Sequence, residues 1–284
     1  MEQKKGFMED GGGFDRIWDG TAEKLRCFRD TRWGRLLGVL LIALVVFSIM
    51  ADMGLRTVRN GLGKPELCLL LQHEAGMPEI VDLSEAELAH LSYDLGRMVY
   101  GYFFEADIEA FVREFGYHPY SEQEVQLLLE SNAMFERLYD FLMDFSLWRS
   151  VITCLGMSIG GWLIGKKNNR LYLAGMFAGL IAALLPLAYF TACFMVDFTE
   201  TIHFICGLLF ASDAWMLSPE TSIIARLMPE SVLMGIGKHI LYELLEAAAM
   251  YVGIMLAVWL IVLVVEYFER KKEKEEKIDD SAEL

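Results

Sequence analysis

The stretch LLGVLLIALVVFSIM, residues 36–50, decides the fold class because it is an unbroken apolar run without a charged side chain. It is the centre of a longer segment, 33–55, and about 20 apolar residues in a helix are enough to cross a bilayer. The bilayer interior offers no water to backbone polar groups, so a spanning segment must be a helix or part of a closed barrel. Residues 36–50 lack the alternation of a barrel strand and therefore predict a transmembrane helix.

Three later apolar runs have the same character. They cover residues 146–165, 171–196 and 247–266, and each is long enough to cross a bilayer as a helix. Hydrophobic residues make up 55% of the chain, which is more than a typical soluble domain contains. The sequence therefore predicts an all-α membrane protein with four transmembrane helices and a helical extracytoplasmic domain between the first two.

The apolar runs also set the expected domain boundaries. In chain order these are a cytoplasmic leader (1–32), transmembrane helix 1 (33–55), an extracytoplasmic helical domain (56–145), transmembrane helix 2 (146–165), a cytoplasmic turn (166–170), transmembrane helix 3 (171–196), an extracytoplasmic loop with a helical lead-in (197–246), transmembrane helix 4 (247–266) and a cytoplasmic tail (267–284). Pairs of glycines four residues apart predict close packing between spans. They are Gly156 and Gly160, Gly161 and Gly165, and Gly175 and Gly179.

The segment 56–145 is acidic and carries two helix-start signals. Ser84 is followed three residues later by Glu87, and Ser121 by Glu124, which is the spacing of a capping box. Each pair precedes apolar residues that recur with helical period. On the first helix these are Leu88, Leu91, Leu95, Met98, Val99 and Tyr102, and on the second Val125, Leu128, Leu129, Phe135, Leu138, Leu142 and Phe145. The acidic residues are most simply explained as a solvated face.

Positive charge predicts the orientation of the spans. Arginines in the leader, the basic residues at 166–170 and those at 270–272 all fall on one side of the four spans. Loops rich in lysine and arginine stay in the cytoplasm. We therefore expect a multi-pass plasma-membrane protein with both termini cytoplasmic, and with 56–145 and 197–246 outside. Residues 14–35 fit two descriptions equally well, an amphipathic helix on an anionic leaflet or a solvated basic leader.

Charge and motifs exclude several classes of function. The net charge of −15 argues against nucleic-acid binding, which requires a basic surface. The five cysteines have no metal-site spacing. The chain has no phosphate loop, paired metal-binding histidine motif or nucleophile elbow. We expect no metal or other cofactor, and no feature of the sequence indicates an oligomeric state.

The polar stretch 197–230 between the third and fourth spans holds the best candidates for chemistry. His203 lies close to the end of the third span, and an imidazole that titrates near neutral pH is the usual acid–base group. Asp213 can orient it or hold an ammonium group. A histidine beside a span is also often only an interfacial residue, and Trp215 fits the role of an interface anchor. Both interpretations stay open from the residues alone.

The same stretch resembles the outer loop of the lipoprotein intramolecular transacylase (Lit) family. In that family an aromatic residue and Asp-x-Trp are followed by a proline-containing stretch, a pair of isoleucines and Pro-Glu. The matching residues here are Phe210, Asp213, Trp215, Pro219, Thr221, Ile223, Ile224, Pro229 and Glu230. The order of four spans, with a helical domain after the first, is similar as well.

The resemblance implies acyl transfer at the outer membrane–water interface, from the glyceryl group of a diacylglyceryl-cysteine lipoprotein to its N-terminal amine. Expected partners are membrane lipid and the lipoprotein N-terminus. This chain departs from the family at two histidine positions, which are occupied by Cys206 and, in the best alignment, by Arg137, three residues before Asp140. His203 lies one helical turn before Cys206 and is the residue that can substitute.

The sequence therefore supports two hypotheses. In the first, the protein is a divergent acyltransferase with His203, Asp213 and Cys206 as catalytic residues. Its substrate-binding residues are then Trp215, Phe210, Arg137 and Asp140. In the second, it is a non-catalytic relative of the same fold that binds lipid or a membrane partner, with the missing family histidines as its motivation. His118 belongs to the outer domain and is a further candidate only if the fold brings it close.

Overall fold

A computed structural model describes residues 23–77, 84–99, 121–165, 168–210, 212–218, 220 and 222–282. These residues form helices and contain no strand. After a short helical segment at 23–30, the helices are α1 (Arg32–Leu62), α2 (Pro65–Glu74), α3 (Glu85–Val99), α4 (Glu122–Ile164), α5 (Asn169–Val196), α6 (Phe198–Leu209), a 3-10 turn (Asp213–Trp215), α7 (Ile223–Leu227) and α8 (Glu230–Ala282). The leader up to residue 22, the basic pair at 166–167, His118, Pro219 and Thr221 lie outside the described residues.

The predicted class of an all-α membrane protein is confirmed. Four helices are long and apolar enough to cross a bilayer, namely α1, α4, α5 and the part of α8 from Glu230 to Phe268. Their mean hydropathies over the most apolar window are 2.6, 1.3, 2.1 and 2.7. The protein is therefore a multi-pass membrane protein.

Helix α4 is much longer than a bilayer is thick. Helix α4 has 43 residues, which at 1.5 Å per residue gives about 65 Å, whereas the hydrocarbon layer is about 30 Å thick. The predicted span 146–165 occupies its second half. Helix α4 is therefore longer than a membrane crossing requires, and its first half, 122–145, precedes the predicted span.

By its internal contacts the chain divides into two compact units. One comprises residues 1–48, 149–182 and 253–284, and glycines bring its helices together. A Cβ on Gly175 would lie 2.8 Å from the carbonyl oxygen of Val39, and one on Gly179 would overlap the carbonyl oxygen of Ala43. A Cβ on Gly160 would lie 3.2 Å from the carbonyl oxygen of Gly38. The close packing predicted for Gly160, Gly175 and Gly179 is thereby confirmed.

In the pair Gly161 and Gly165, the prediction of the same role is wrong for Gly165. Gly165 ends α4 with φ 77°, in the left-handed region that glycine adopts without steric cost, and a Cβ there would meet nothing within 4 Å. Gly161 does pack closely against the next helix, because a Cβ there would overlap the hydroxyl of Tyr172. Gly165 is therefore a helix terminator, and its spacing from Gly161 is coincidental.

The second unit comprises residues 49–148 and 183–252. An apolar cluster is built on one face of α8, from the buried side chains of Val232, Ile236 and Ile240. Residues of α1 and α2, including Val58 and Leu71, pack against that face. Buried Gln72 of α2 donates to the carbonyl oxygen of Leu227 at 3.1 Å and accepts from the Ser92 hydroxyl at 2.9 Å. A satisfied polar residue thus joins α2, α3 and α7 within this unit.

Both predicted capping boxes are confirmed. The Ser84 amide and hydroxyl donate to the Glu87 carboxylate at 2.8 and 2.6 Å, and these bonds lower the pKa of that carboxyl. Leu88 is fully buried, and Leu128 and Leu142 of α4 are also buried. Leu129, which we expected on the buried face, is 44% exposed. It lies about 100° around the helix from Leu128 and so falls outside the packed face.

The glycine contacts generate a stability prediction. Gly179→Ala adds a methyl group where the Ala43 carbonyl already fills the space, and we expect a loss of about 1–3 kcal/mol from overpacking. Gly253→Ala is the control, because a Cβ at this helical glycine meets nothing within 4 Å. The measurement is the thermal midpoint of the purified protein in detergent. Equal midpoints for the two variants would contradict the close approach of α1 and α5.

Candidate functional site

Helix α6 carries His203 and Cys206, and extended residues at both of its ends determine its length. The third long helix ends at Val196, and Asp197 then adopts an extended backbone with φ −148° and ψ 96°. Its side chain accepts a hydrogen bond from the Glu200 amide at 3.0 Å, which is the geometry of an N-cap. At the other end Phe210 is extended, and its amide donates to the Cys206 carbonyl at 2.9 Å. Local capping thus makes α6 a separate 12-residue helix.

The structure brings His203 and Trp215 into direct contact. Their ring centroids lie 5.2 Å apart with an angle of 67° between the planes, an edge-to-face arrangement. His203 is exposed on α6, and Trp215 is half-buried in the 3-10 turn. The tryptophan of the Asp-x-Trp motif is therefore the side chain against which the imidazole rests.

Helix α4 fastens the loop that contains the 3-10 turn. The Gln123 side chain donates to the Met216 carbonyl at 3.2 Å, directly after the turn. Ser212, directly before the turn, is hydrogen-bonded to the Glu130 carboxylate. Asp213–Trp215 is thus fixed on both sides by polar side chains of the first half of α4.

A third fastening point is the buried carboxylate of Glu124, which is only 2% exposed. One oxygen accepts from the Ser222 hydroxyl at 2.6 Å and the Ile224 amide at 3.3 Å. The other accepts from the amide and hydroxyl of Ser121, at 2.8 and 3.0 Å. The Ser222 hydroxyl in turn caps α7 by accepting from the Ala225 amide at 3.1 Å. One carboxylate therefore caps α4 and ties it to the start of α7.

These contacts decide the charge of Glu124, which lies in the half of α4 outside the predicted span. Burial opposes the charged form, but hydrogen bonds from Ser222, Ser121 and the Ile224 amide outweigh it and lower the pKa of the carboxyl. The expectation that the acidic residues form a solvated face therefore holds for exposed Glu122 but not for Glu124.

Cys206 is half-buried on α6, and burial raises the pKa of its thiol. The thiol is therefore held in its neutral form, which is a poor nucleophile and a poor base. His203 precedes it by three residues and is exposed, so the imidazole rather than the thiol is open to a substrate. Asp213 is also exposed, and Phe210 is half-buried at the end of α6.

Arg137 and Asp140 lie on α4, two or more turns beyond Glu130, and both are exposed. Within the described part of the chain, no hydrogen bond or ion pair connects either residue to α6 or to the 3-10 turn. Tyr139 lies between them in the sequence, and the centroid of its ring is 5.4 Å from the Arg59 guanidinium. The structure thus groups His203 with Trp215 and shows no direct link from that pair to Arg137 or Asp140.

Two polar groups were not singled out from the sequence. The first is the set of α4 contacts to Ser212, Met216 and Ser222, for which the capping-box position of Glu124 was the only available signal. The second joins Lys64 to α8, where its ammonium lies 2.5 Å from Glu243 and 3.2 Å from His239. Among the described residues, no group of three or more histidine, cysteine or acidic side chains is placed to hold a metal ion.

A sequence model of the family described as lipoprotein intramolecular transacylase Lit matches residues 132–232. The resemblance to Lit is confirmed. The matched segment is 101 of the 284 residues, counted from 132 through 232. It contains α6, the 3-10 turn and the seven residues assigned to the candidate site from the sequence, while Glu124 and the further candidate His118 precede it.

Solved structures of Lit from Bacillus cereus are similar to this chain at low identity. One is 16% identical, covers 78% of this chain and 93% of its own, and has a TM-score of 0.49. Another, a variant with a histidine replaced by arginine, is 18% identical, covers 86% and 95%, and has a TM-score of 0.46. No curated protein matches the sequence.

The buried carboxylate generates a prediction about the loop. Glu124→Gln keeps the size of the side chain but replaces one acceptor oxygen with a donor nitrogen, which leaves Ser121 or Ser222 donors without a partner. We expect a loss of about 1–3 kcal/mol and faster hydrogen–deuterium exchange in α7. Glu122→Gln is the matched control, because it removes the same charge from an exposed side chain two residues before Glu124. Equal hydrogen–deuterium exchange of α7 in the two variants would contradict the conclusion that Glu124 holds the start of α7 against α4.

The effect has a defined pH dependence. Because the pKa of Glu124 is lowered from 4.5 in the folded protein, its stabilisation is complete above about pH 4.5 and is lost as the pH falls through the folded value. The difference in thermal midpoint between wild type and Glu124→Gln should therefore shrink in acid. A difference that stays constant down to the acid-unfolding range would show that the charge of Glu124 contributes nothing.

Proposed function

We propose that the protein is a divergent membrane acyltransferase that acts on diacylglyceryl-cysteine lipoproteins at the outer membrane–water interface. It would move an acyl chain from the glyceryl group to the N-terminal amine. The match to the Lit family over 132–232 supports this class of reaction. The observation that carries the proposal is the contact between His203 and Trp215, because it joins an exposed imidazole to the tryptophan of the family motif.

The reaction needs a base, since the substrate's α-ammonium cannot attack an ester until it loses a proton. His203 takes that proton and releases it to solvent, and the free amine attacks the ester carbonyl carbon. The nitrogen of the tetrahedral intermediate then carries a surplus proton, which His203 takes and gives to the glyceryl oxygen as the carbon–oxygen bond breaks. The products are an amide at the N-terminus, a lyso-glyceryl hydroxyl and one proton in solvent, and no water is consumed. One positioned imidazole serves all of these proton transfers.

The other candidate residues have roles in this scheme that follow from their chemistry. Asp213 lies two residues before Trp215 in the same turn and offers an exposed carboxylate to the substrate ammonium. Trp215 restricts the orientation of the imidazole through the ring contact. Phe210 offers apolar surface for an acyl chain. Arg137 and Asp140 are proposed as headgroup contacts farther along α4, and Cys206 as a neutral neighbour of His203 rather than a nucleophile.

The proposed orientation places α6 and the 3-10 turn outside the cytoplasm, with both termini inside. The distribution of lysine and arginine between the spans is its support. A lipoprotein N-terminus anchored in the outer leaflet then has direct access to His203. Membrane lipid and the lipoprotein N-terminus are the partners that this arrangement requires.

One observation favours the alternative, a non-catalytic relative that binds lipid or a membrane partner. The family's histidine position is taken by Cys206, whose buried thiol cannot act as a base near neutral pH. The alternative predicts that the wild-type protein leaves a diacylglyceryl-lipopeptide unchanged. The activity of the wild-type protein therefore separates the two functions, and His203→Ala tests the base assignment.

We expect His203→Ala to reduce acyl transfer by about 10²–10⁴-fold, the usual contribution of a positioned acid–base group. The protein is reconstituted in vesicles with a diacylglyceryl-lipopeptide, and N-terminal acylation is followed by mass spectrometry. His73→Ala is the control, because His73 is exposed on α2 and its removal leaves the site unchanged.

Transfer that persists at the wild-type rate in His203→Ala would remove the base assignment. A lipopeptide left unchanged by wild-type protein would instead favour the non-catalytic relative. Transfer lost in both histidine variants would point to a general loss of structure and contradict the role of His203.

A further inference from the structure

Helix α6 has three distinct faces. Phe198, Ile202 and Ile205 recur at helical spacing on one side, where Phe198 is 8% exposed and both isoleucines are partly buried. Thr199 and His203, four residues apart, form an exposed polar row. Phe204 and Leu208, also four residues apart, form an exposed apolar row at 67% and 75% exposure. The apolar row therefore has no cover within the described part of the chain.

The length and sequence context of α6 limit what can cover this row. Its 12 residues extend about 18 Å, which is too short to cross a hydrocarbon layer of about 30 Å. The preceding helix α5 is a candidate span, and it ends at Val196 with Met195 and Val196 at 69% and 87% exposure. Only Asp197 separates this apolar end from α6. The exposed apolar surface of α6 thus continues from the end of a membrane-crossing helix.

We propose that α6 lies in the membrane interface with Phe204 and Leu208 inserted among lipid acyl chains. A short helix with one exposed apolar row and one exposed polar row is suited to that position. Interfacial helices of this type bury their apolar side about 5–10 Å into the boundary between headgroups and acyl chains. The His203 row then faces the headgroups, because it lies about 100° around the helix from Phe204. This inference stands whether or not the protein transfers acyl groups.

The charge of α6 indicates which lipid property matters. The segment 197–209 contains Asp197 and Glu200 and no lysine or arginine. Attraction to anionic headgroups therefore contributes nothing to its membrane position, which depends on the burial of apolar side chains. Insertion should be the same in zwitterionic and anionic bilayers.

The test uses the full-length protein with p-benzoyl-phenylalanine in place of Phe204, Leu208 or, as the control on the polar row, Thr199. Each variant is reconstituted in vesicles of palmitoyl-oleoyl phosphatidylcholine, alone or mixed with phosphatidylglycerol. After irradiation, lipid adducts are measured by mass spectrometry of the intact protein. We expect several-fold more lipid adduct at positions 204 and 208 than at 199, with equal yields in the two lipid mixtures.

Two results would overturn the inference. Equal lipid labelling at all three positions would show that α6 has no lipid-facing side. Cross-linked dimers in place of lipid adducts at 204 and 208 would show that a second copy of the chain covers the apolar row. The two apolar positions guard against one variant that fails to fold, since either alone reports on the same row.

Discussion

The arrangement of the candidate site depends on one buried carboxylate, that of Glu124. A charge taken out of water is costly unless hydrogen bonds replace its hydration. Here amides and hydroxyls from Ser121, Ser222 and Ile224 supply that replacement. The same bonds satisfy donors at the starts of α4 and α7, which would otherwise lack partners. The carboxylate therefore links the starts of α4 and α7. Moving either start would leave the charge of Glu124 without some of its hydrogen-bond donors.

The loop between α6 and α7 has little secondary structure of its own. Its 3-10 turn is three residues long, so the backbone relies on side chains for hydrogen bonds. Gln123 and Glu130 supply them on either side of the turn. As a result Trp215 has a fixed position against which His203 can pack. The acidic first half of α4 is a platform for the loop, and the chemistry of the loop depends on contacts made outside it.

The sequence predicted what local rules determine. The run at 36–50 fixed the class of protein, because a bilayer leaves few alternatives to an apolar helix. The capping box at Glu124 was visible three residues from Ser121. Its second partner was not, because Ser222 lies 98 residues away and only tertiary structure joins them. Gly165 was misassigned for a related reason, since spacing alone does not distinguish a packed glycine from a helix terminator.

The family resemblance located the loop but not its supports. The motif residues Asp213 and Trp215 were identified from their spacing. Ser212 and Met216, which flank them, were not, because their contacts run through a hydroxyl group and a backbone carbonyl. The pairing of His203 with Trp215 also required the structure, since two elements with different backbones bring them together. Local pattern therefore found the reactive groups, and long-range hydrogen bonds determined how they are held.

The claim that α4 positions the His203–Trp215 pair is tested most directly by the ring-proton chemical shifts of His203. They are measured on protein with isotope-labelled histidine and assigned with His203→Gln. Trp215→Leu should remove the ring-current contribution from these shifts. The double variant Glu124→Gln/Glu130→Gln should reduce it in the same direction, while Glu122→Gln leaves it unchanged. A ring-current shift that survives the double variant in full would contradict the account.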